Sequence, residues 1–137
     1  MNAAFLDTNI LIYAHLQVED DPRCERAYRF LRTSTRFVLS TQVIAEYSAR
    51  MIRQKLSDAH IYGNVEALLT YYDVRDVSSS TLRTAWGVRQ RYGFAYRDSQ
   101  IVASALEAGC DTLYTEDLQH GQVIEKRLTL VNPLLGD

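Results

Sequence analysis

Four acidic residues stand beside the ends of short apolar runs in this chain. Asp7 follows Ala3-Ala4-Phe5-Leu6, Glu46 lies beyond Phe37-Val38-Leu39, Asp98 precedes Ile101-Val102, and Asp117 follows Thr112-Leu113-Tyr114-Thr115. Singly, each has an ordinary explanation. An aspartate ahead of a helix is more often a cap than a ligand, a lone helical glutamate is usually solvated, and Thr-Glu-Asp can be only a turn. Brought together, they form a set of hard oxygen donors that repel one another unless a cation joins them. All-oxygen ligation favours Mg²⁺ or Mn²⁺ over zinc. An ion so held can lower the pKa of a bound water and neutralise charge on a phosphodiester under attack. Metal-assisted phosphodiester hydrolysis is therefore the chemistry expected of Asp7, Glu46, Asp98 and Asp117. Asp7 and Asp98 are the best-placed direct ligands, and Glu46 is long enough to reach the ion from a helix flank or to act through a water. Thr8 and Asn9 are expected to hydrogen-bond around Asp7, and Thr115 around Asp117, as outer partners that orient the ligands. Their hydroxyls could instead simply cap the adjoining helices. Glu116, next to Asp117, is a candidate substitute for it.

Gathering these acids requires an open parallel sheet, whose strands deliver their carboxyl ends to one edge. Ala3–Leu6 is too short for a helix and reads as a buried first strand. Thr8-Asn9 opens a helix through Leu16, and Pro22 starts another to Arg32 with Ala27, Tyr28 and Leu31 inward. Phe37–Leu39 is a strand, and Ser40 or Thr41 caps a helix carrying Val43, Ile44, Tyr47 and Met51 on one face. A helix over about Ser57–Tyr72 precedes a strand over Tyr72–Val77. Ser79 or Ser80 then caps a helix to about Tyr92, which Gly93 ends. Asp98 begins the next helix, at the top of a stripe formed by Ile101, Val102, Ala105 and Leu106, and Gly109 stops it. Thr112–Thr115 and Leu128–Val131 are the remaining strands. The alternation predicts an α/β fold of three layers, α/β/α, with a central, mainly parallel sheet and helices on both faces.

The chain has 137 residues, the size of one domain spanning 1–137. Its 47% hydrophobic and 23% charged residues are those of an ordinary globular protein. No apolar run approaches the ~18 residues of a membrane span, and the N-terminus lacks the pattern of a signal peptide, so residence in the cytoplasm is expected. Cys24 and Cys110 have no CxxC or Cys/His spacing, which predicts free thiols. A net charge of −2 argues against a nucleic-acid binder held by long-range attraction alone. One divalent ion would cancel that charge, so a phosphate substrate held by metal and local arginines is compatible with it.

His15 and His60 read as structural, and His120 as a residue of the site's edge at most. Most of the nine tyrosines fall at helical spacing among apolar residues, as core or dimer packing requires. Tyr96 and Arg97 are the exceptions. Arg50, Arg53 and Lys55, with Arg89, Arg91 and Arg97, are candidate phosphate contacts, about half of them expected to be plain surface.

The ordered set of motifs resembles the PIN domain family, particularly the VapC-type toxins of bacterial toxin–antitoxin pairs. The resemblance rests on Phe5-Leu6-Asp7-Thr8-Asn9-Ile10-Leu11, Gln42-Val43-Ile44-Ala45-Glu46 and Tyr96-Arg97-Asp98-Ser99-Gln100-Ile101-Val102-Ala103-Ser104-Ala105. It extends through Gly109-Cys110-Asp111-Thr112-Leu113-Tyr114-Thr115-Glu116-Asp117-Leu118-Gln119-His120-Gly121 and closes on Leu130-Val131-Asn132-Pro133. It implies a Mg²⁺- or Mn²⁺-dependent endoribonuclease, usually a homodimer, silenced by an antitoxin protein. By position it assigns Asp7, Glu46, Asp98 and Asp117 to the acidic site. Arg97 departs from the bulky aromatic that many relatives carry before this aspartate. A basic residue there is expected to bear on RNA contact while leaving the ligands intact. A phosphatase of the haloacid-dehalogenase type would need a second aspartate where Asn9 stands. A non-catalytic RNA- or protein-binding PIN domain is the other alternative, and full retention of the acids argues against it.

Overall fold

The computed structural model describes residues 3–33 and 36–136. Twelve elements follow one another: β1 (Ala4–Leu6), α1 (Thr8–Leu16), α2 (Pro22–Leu31), β2 (Phe37–Ser40), α3 (Thr41–Arg53), α4 (Asp58–Tyr71), β3 (Asp73–Arg75), α5 (Ser79–Tyr92), α6 (Tyr96–Glu107), β4 (Thr112–Tyr114), β5 (Val123–Ile124) and β6 (Leu128–Val131). The six strands form one sheet in the order β3-β2-β1-β4-β6-β5. Every pairing is parallel except that of β5 with β6.

Phe5, Leu6, Val38, Leu39 and Leu113 are almost wholly inaccessible, as strands covered on both faces must be. Each such side chain contributes about 1.5–3 kcal/mol by leaving water. From β1 the chain steps outward to β2 and β3, then returns across the sheet to β4. Right-handed crossovers then set α1–α4 on one face and α5–α6 on the other, completing three layers. The direction of winding reverses between β1 and β4, where Asp7 N–H donates to the Tyr114 carbonyl at 2.9 Å. Open α/β sheets form their crevice at such a reversal.

Several boundaries shift for local reasons. Helix α5 is capped by Ser78, reciprocally with Thr81, rather than by Ser79 or Ser80. Helix α6 begins at Tyr96, which places Asp98 within its first turn. Strand β3 keeps only Asp73–Arg75 of the expected Tyr72–Val77. Tyr28 points out, 43% exposed, while Cys24 takes the inward position on α2. Tyr47 is the only fully buried tyrosine among the described residues, with Tyr13, Tyr72, Tyr92 and Tyr114 partly buried against the core, while Tyr28, Tyr62 and Tyr71 are exposed. Strand β5 had no counterpart in the sequence reading. Its turn into β6 closes with the Arg127 N–H on the Ile124 carbonyl at 3.1 Å. Glu125 and Lys126 take positive φ there, at 50° and 60°. Asn-Gly is the usual signature of that turn, and here it is missing.

Beneath α1, His15 Nδ1 and the Tyr47 hydroxyl share a hydrogen bond of 2.5 Å, and Asn64 donates to the same hydroxyl at 3.1 Å. Burial, and secondarily His60, holds the His15 imidazole below its usual pKa. A depressed histidine contributes no penalty above its unfolded pKa of about 6.5. As pH falls through that value the unfolded chain takes up the proton first, and stability drops until the folded pKa is passed. Urea melts between pH 7.5 and 5.5 should therefore show falling stability in the wild type and a flatter profile in His15→Gln. Parallel profiles would remove His15 as the cause.

Candidate metal centre

Each acid reaches the sheet edge by a different local device. Asp7 follows β1 directly and caps α1, its Oδ1 accepting the Thr8 N–H at 2.7 Å. Its Oδ2 accepts the Thr115 hydroxyl at 2.9 Å, and Thr115 in turn accepts the Asp117 N–H at 3.1 Å. One hydroxyl from the end of β4 thus ties Asp7 to the backbone of Asp117. Asp98 sits in the first turn of α6, where the helix dipole favours a negative charge. Glu46 comes from α3, its Oε1 accepting the Thr8 hydroxyl at 2.6 Å and its Oε2 accepting Gln42 Nε2 at 3.2 Å.

Carboxylate oxygens of Asp7, Asp98 and Asp117 all lie within 4.8 Å of one another. Asp7 is buried, Asp98 half-buried and Asp117 the most open of the three. Three hard oxygens at this separation fit a small divalent ion such as Mg²⁺ or Mn²⁺. Burial, then the charges of Asp7 and Asp98, push the Asp117 carboxyl above its ordinary pKa against the pull of Arg97. Glu46 lies beside this trio rather than within it.

Arg97 occupies the middle of the site, which the sequence reading did not foresee. Its Nη2 donates to Asp7 Oδ1 at 2.7 Å and to Glu46 Oε1 at 2.5 Å, and its Nε to Glu46 Oε2 at 3.0 Å. Its Nη1 donates to Asp98 Oδ1 at 3.0 Å and Asp7 Oδ2 at 3.2 Å, and lies 3.7 Å from Asp117 Oδ2. Burial disfavours its charge, but the bonds to Glu46 and Asp7 outweigh that and raise its pKa further. Burial likewise would raise the Glu46 carboxyl, yet hydrogen bonds from Arg97 and Thr8 hold it below the usual range. The cation that joins the acids in this structure is therefore a side chain of the protein itself. Gln42, also unforeseen, braces Glu46 while accepting Gln100 Nε2 at 2.9 Å.

Other expected members stand apart. Asn9 does not bond to Asp7; its Nδ2 donates to Glu116 Oε1 at 3.3 Å, and the Tyr13 hydroxyl donates to the same oxygen at 2.5 Å. Burial, then that bond, raises the Tyr13 phenol to about 12. Glu116 is thus engaged away from the aspartate trio. His120 Nδ1 accepts the Asn132 N–H at 3.0 Å and so fastens the end of β6. Arg50 and Arg53 line the same cleft as Thr8, Glu46, Arg97, Asp98 and Asp117, a space of about 340 Å³. Arg89 donates to the Phe94 carbonyl and Arg91 pairs with Glu125, so neither faces the acids.

Solved structures of similar fold include a toxin and a toxin–antitoxin complex. Mycobacterium tuberculosis VapC20, described as a sarcin–ricin loop cleaving toxin, superposes with a TM-score of 0.67 at 20% identity, over 83% of this chain and 89% of that one. A toxin–antitoxin complex from Klebsiella pneumoniae gives 0.70 at 20% identity, over 95% and 97%. VapBC2 from Rickettsia felis, bound to a promoter DNA fragment, gives 0.65 at 18%, over 95% and 99%. At such identities the likeness is one of fold. A comparison with curated proteins finds no match. The family model described as the PIN domain matches residues 4–126, taking in β1, the switch point and all four acids. With sheet order, acid placement and family model in agreement, this chain belongs to the PIN domain family.

Proposed function

We propose that this chain, a single nuclease domain over 1–137, is a Mg²⁺- or Mn²⁺-dependent endoribonuclease and the toxin of a toxin–antitoxin pair. The observation that carries the reading is the approach of the Asp7, Asp98 and Asp117 oxygens to within 4.8 Å at the switch point of the sheet. Those three aspartates would hold the ion, with Glu46 completing the acidic site. The ion would supply Lewis acidity and a water of lowered pKa. Thr8 and Thr115 fix the Asp7 carboxylate from both sides, which holds it beside the Asp98 and Asp117 oxygens. Arg50 and Arg53 line the wall along which a phosphate backbone would run. No Ser, Cys or His is among the described residues lining that cleft, and its one hydroxyl, that of Thr8, is tied to Glu46 and Arg97, which favours water over a covalent nucleophile.

The toxin assignment draws on the neighbours, among them a toxin described by the RNA loop it cleaves and two toxin–antitoxin assemblies. An antitoxin would silence the enzyme by presenting an arginine to the acids in competition with metal. A toxin acting on cellular RNA would work in the cytoplasm, and no described helix is long and apolar enough to cross a membrane. Exposed Ile52 and Tyr62, on neighbouring α3 and α4, offer apolar surface for a homodimer. Light scattering at micromolar concentration should give twice the monomer mass; a monomer removes that part.

Incubated with single-stranded or loop RNA, the protein should cleave in Mg²⁺ or Mn²⁺ and stop in chelator. The products should carry 5′-phosphate and 3′-hydroxyl ends. Cleavage that persists in chelator, or a 2′,3′-cyclic phosphate left by the RNA's own hydroxyl, would sink the mechanism. RNA binding without cleavage in either buffer would establish the non-catalytic alternative.

A further inference from the structure

Asp7 has no lone pair to spare. A carboxylate offers about four acceptor positions, and in Asp7 all four are taken. Thr8 N–H and Arg97 Nη2 share Oδ1, while the Thr115 hydroxyl and Arg97 Nη1 share Oδ2. Glu46 is filled in the same way, by Thr8 and Arg97 on one oxygen and by Gln42 and Arg97 on the other. Arg97 Nη1 also stands 3.0 Å from Asp98 and 3.7 Å from Asp117, among the same oxygens that could hold an ion. A cation at that position and the guanidinium cannot use these oxygens together. One donor must give way.

The candidates for leaving differ sharply. Thr8 N–H belongs to the first turn of α1, and Thr115 is 1% exposed and bridges two strand ends. Arg97 is a long side chain, 34% exposed, held only through its head. We propose that Arg97 is a resident counter-cation of the acidic centre, and that divalent metal binds by exchange, displacing the guanidinium from Asp7, Asp98 and Glu46 together. This rests on the reading of the aspartate trio as an ion site. Four carboxylates against one guanidinium leave three formal negative charges, so the metal-free site tolerates its own acids while still attracting a divalent ion. Arg97 already lines the cleft with Arg50 and Arg53, so a guanidinium released from the acids is a third cation there for phosphate. Metal and arginine thereby oppose each other at the acids, and each must weaken the other by the same factor.

Calorimetric titration of Mn²⁺ into wild type, Arg97→Gln and Arg97→Lys tests the exchange directly. Arg97→Gln removes the charge and the fork, and should bind Mn²⁺ tighter by about 5- to 150-fold, the usual span of a two-site coupling. Arg97→Lys keeps the charge without the bidentate geometry and should fall between. On the wild type, the Arg97 Nε–H resonance, assigned by its loss in Arg97→Lys, should move from a hydrogen-bonded to a free position as Mg²⁺ is added. Equal or weaker Mn²⁺ affinity in a folded Arg97→Gln overturns the exchange and makes Arg97 a companion of the ion, leaving the metal centre standing. An Nε–H signal unmoved at saturating Mg²⁺ overturns it equally, even if the variant fails to fold. Failure of all three proteins to bind either ion overturns both the exchange and the metal centre.

Discussion

Asp98→Asn should lose RNA cleavage by ~100-fold or more while losing no more than about 2 kcal/mol of stability in chelator. The activity estimate follows from the several kcal/mol that a positioned metal contributes to a phosphoryl transition state, at 1.36 kcal/mol per decade of rate. The stability estimate follows from what Asp98 touches. Its one ion pair, with Arg97 Nη1 at 3.0 Å, joins side chains 19% and 34% exposed, and it makes no capping bond to α6. A partly exposed pair contributes about 1 kcal/mol at most, discounted for solvent, and the first-turn charge adds ~0.3–1 kcal/mol through the helix dipole. Saturating Mn²⁺ should then raise the melting temperature of wild type more than that of the variant, because only an intact ligand set gains the full binding free energy. Wild-type cleavage by Asp98→Asn would remove this residue from the site. A large loss of stability in chelator would make it scaffold.

What the sequence shows of this fold depends on how local the cause is. The order of strands and helices, the Pro22 start and the Gly109 stop each follow from a few adjacent residues, and they survive in the structure with shifts of one or two positions. Two of the four acids were legible for a similar reason: Asp7 and Asp117 lie within three residues of the ends of β1 and β4, and sheet topology brings those ends together, whereas Glu46 and Asp98 arrive on helices α3 and α6. The contents of the site were not legible in that way. Arg97 directly precedes Asp98 on a helix, where consecutive side chains do not share a face. Only its length lets the guanidinium turn back and cross to Asp7 and Glu46. Gln42 lies one helical turn before Glu46, so its brace was open to a spacing argument. Glu116 beside Asp117 looked like a spare ligand because adjacency was the only available measure. Its diversion depends on Tyr13, more than a hundred residues away in sequence. Strand β5 is two residues long and turns on Glu125-Lys126, a pair with no hairpin signature.

Arg97 also changes what a charge removal at Asp7 should do. From sequence alone, four unpaired carboxylates repel in chelator, so Asp7→Asn would leave the metal-free protein as stable as wild type or more so. The structure reverses that expectation, because the repulsion is already met by a guanidinium that donates to both Asp7 oxygens. Asp7 is 2% exposed, and its four donors match a carboxylate. An asparagine keeps one acceptor oxygen and turns an NH₂ toward donors of Arg97 or Thr115. Hydrogen bonds to charged groups contribute about 1.5–3 kcal/mol each, and an unmatched buried donor costs about 1–3 kcal/mol. Asp7→Asn should thus lose a few kcal/mol in chelator, and more in saturating Mg²⁺, where wild type alone gains the full binding free energy. Cleavage should fall with it by ~100-fold or more, on the same transition-state arithmetic as for Asp98. The decisive comparison is a double-mutant cycle with Arg97→Gln. Without the guanidinium the acids are unpaired again, so Asp7→Asn should cost much less in chelator there and can become stabilising. If the loss in chelator is the same with and without Arg97, the stability of Asp7 comes from its cap on α1 and its bond to Thr115, and the charge pairing contributes nothing.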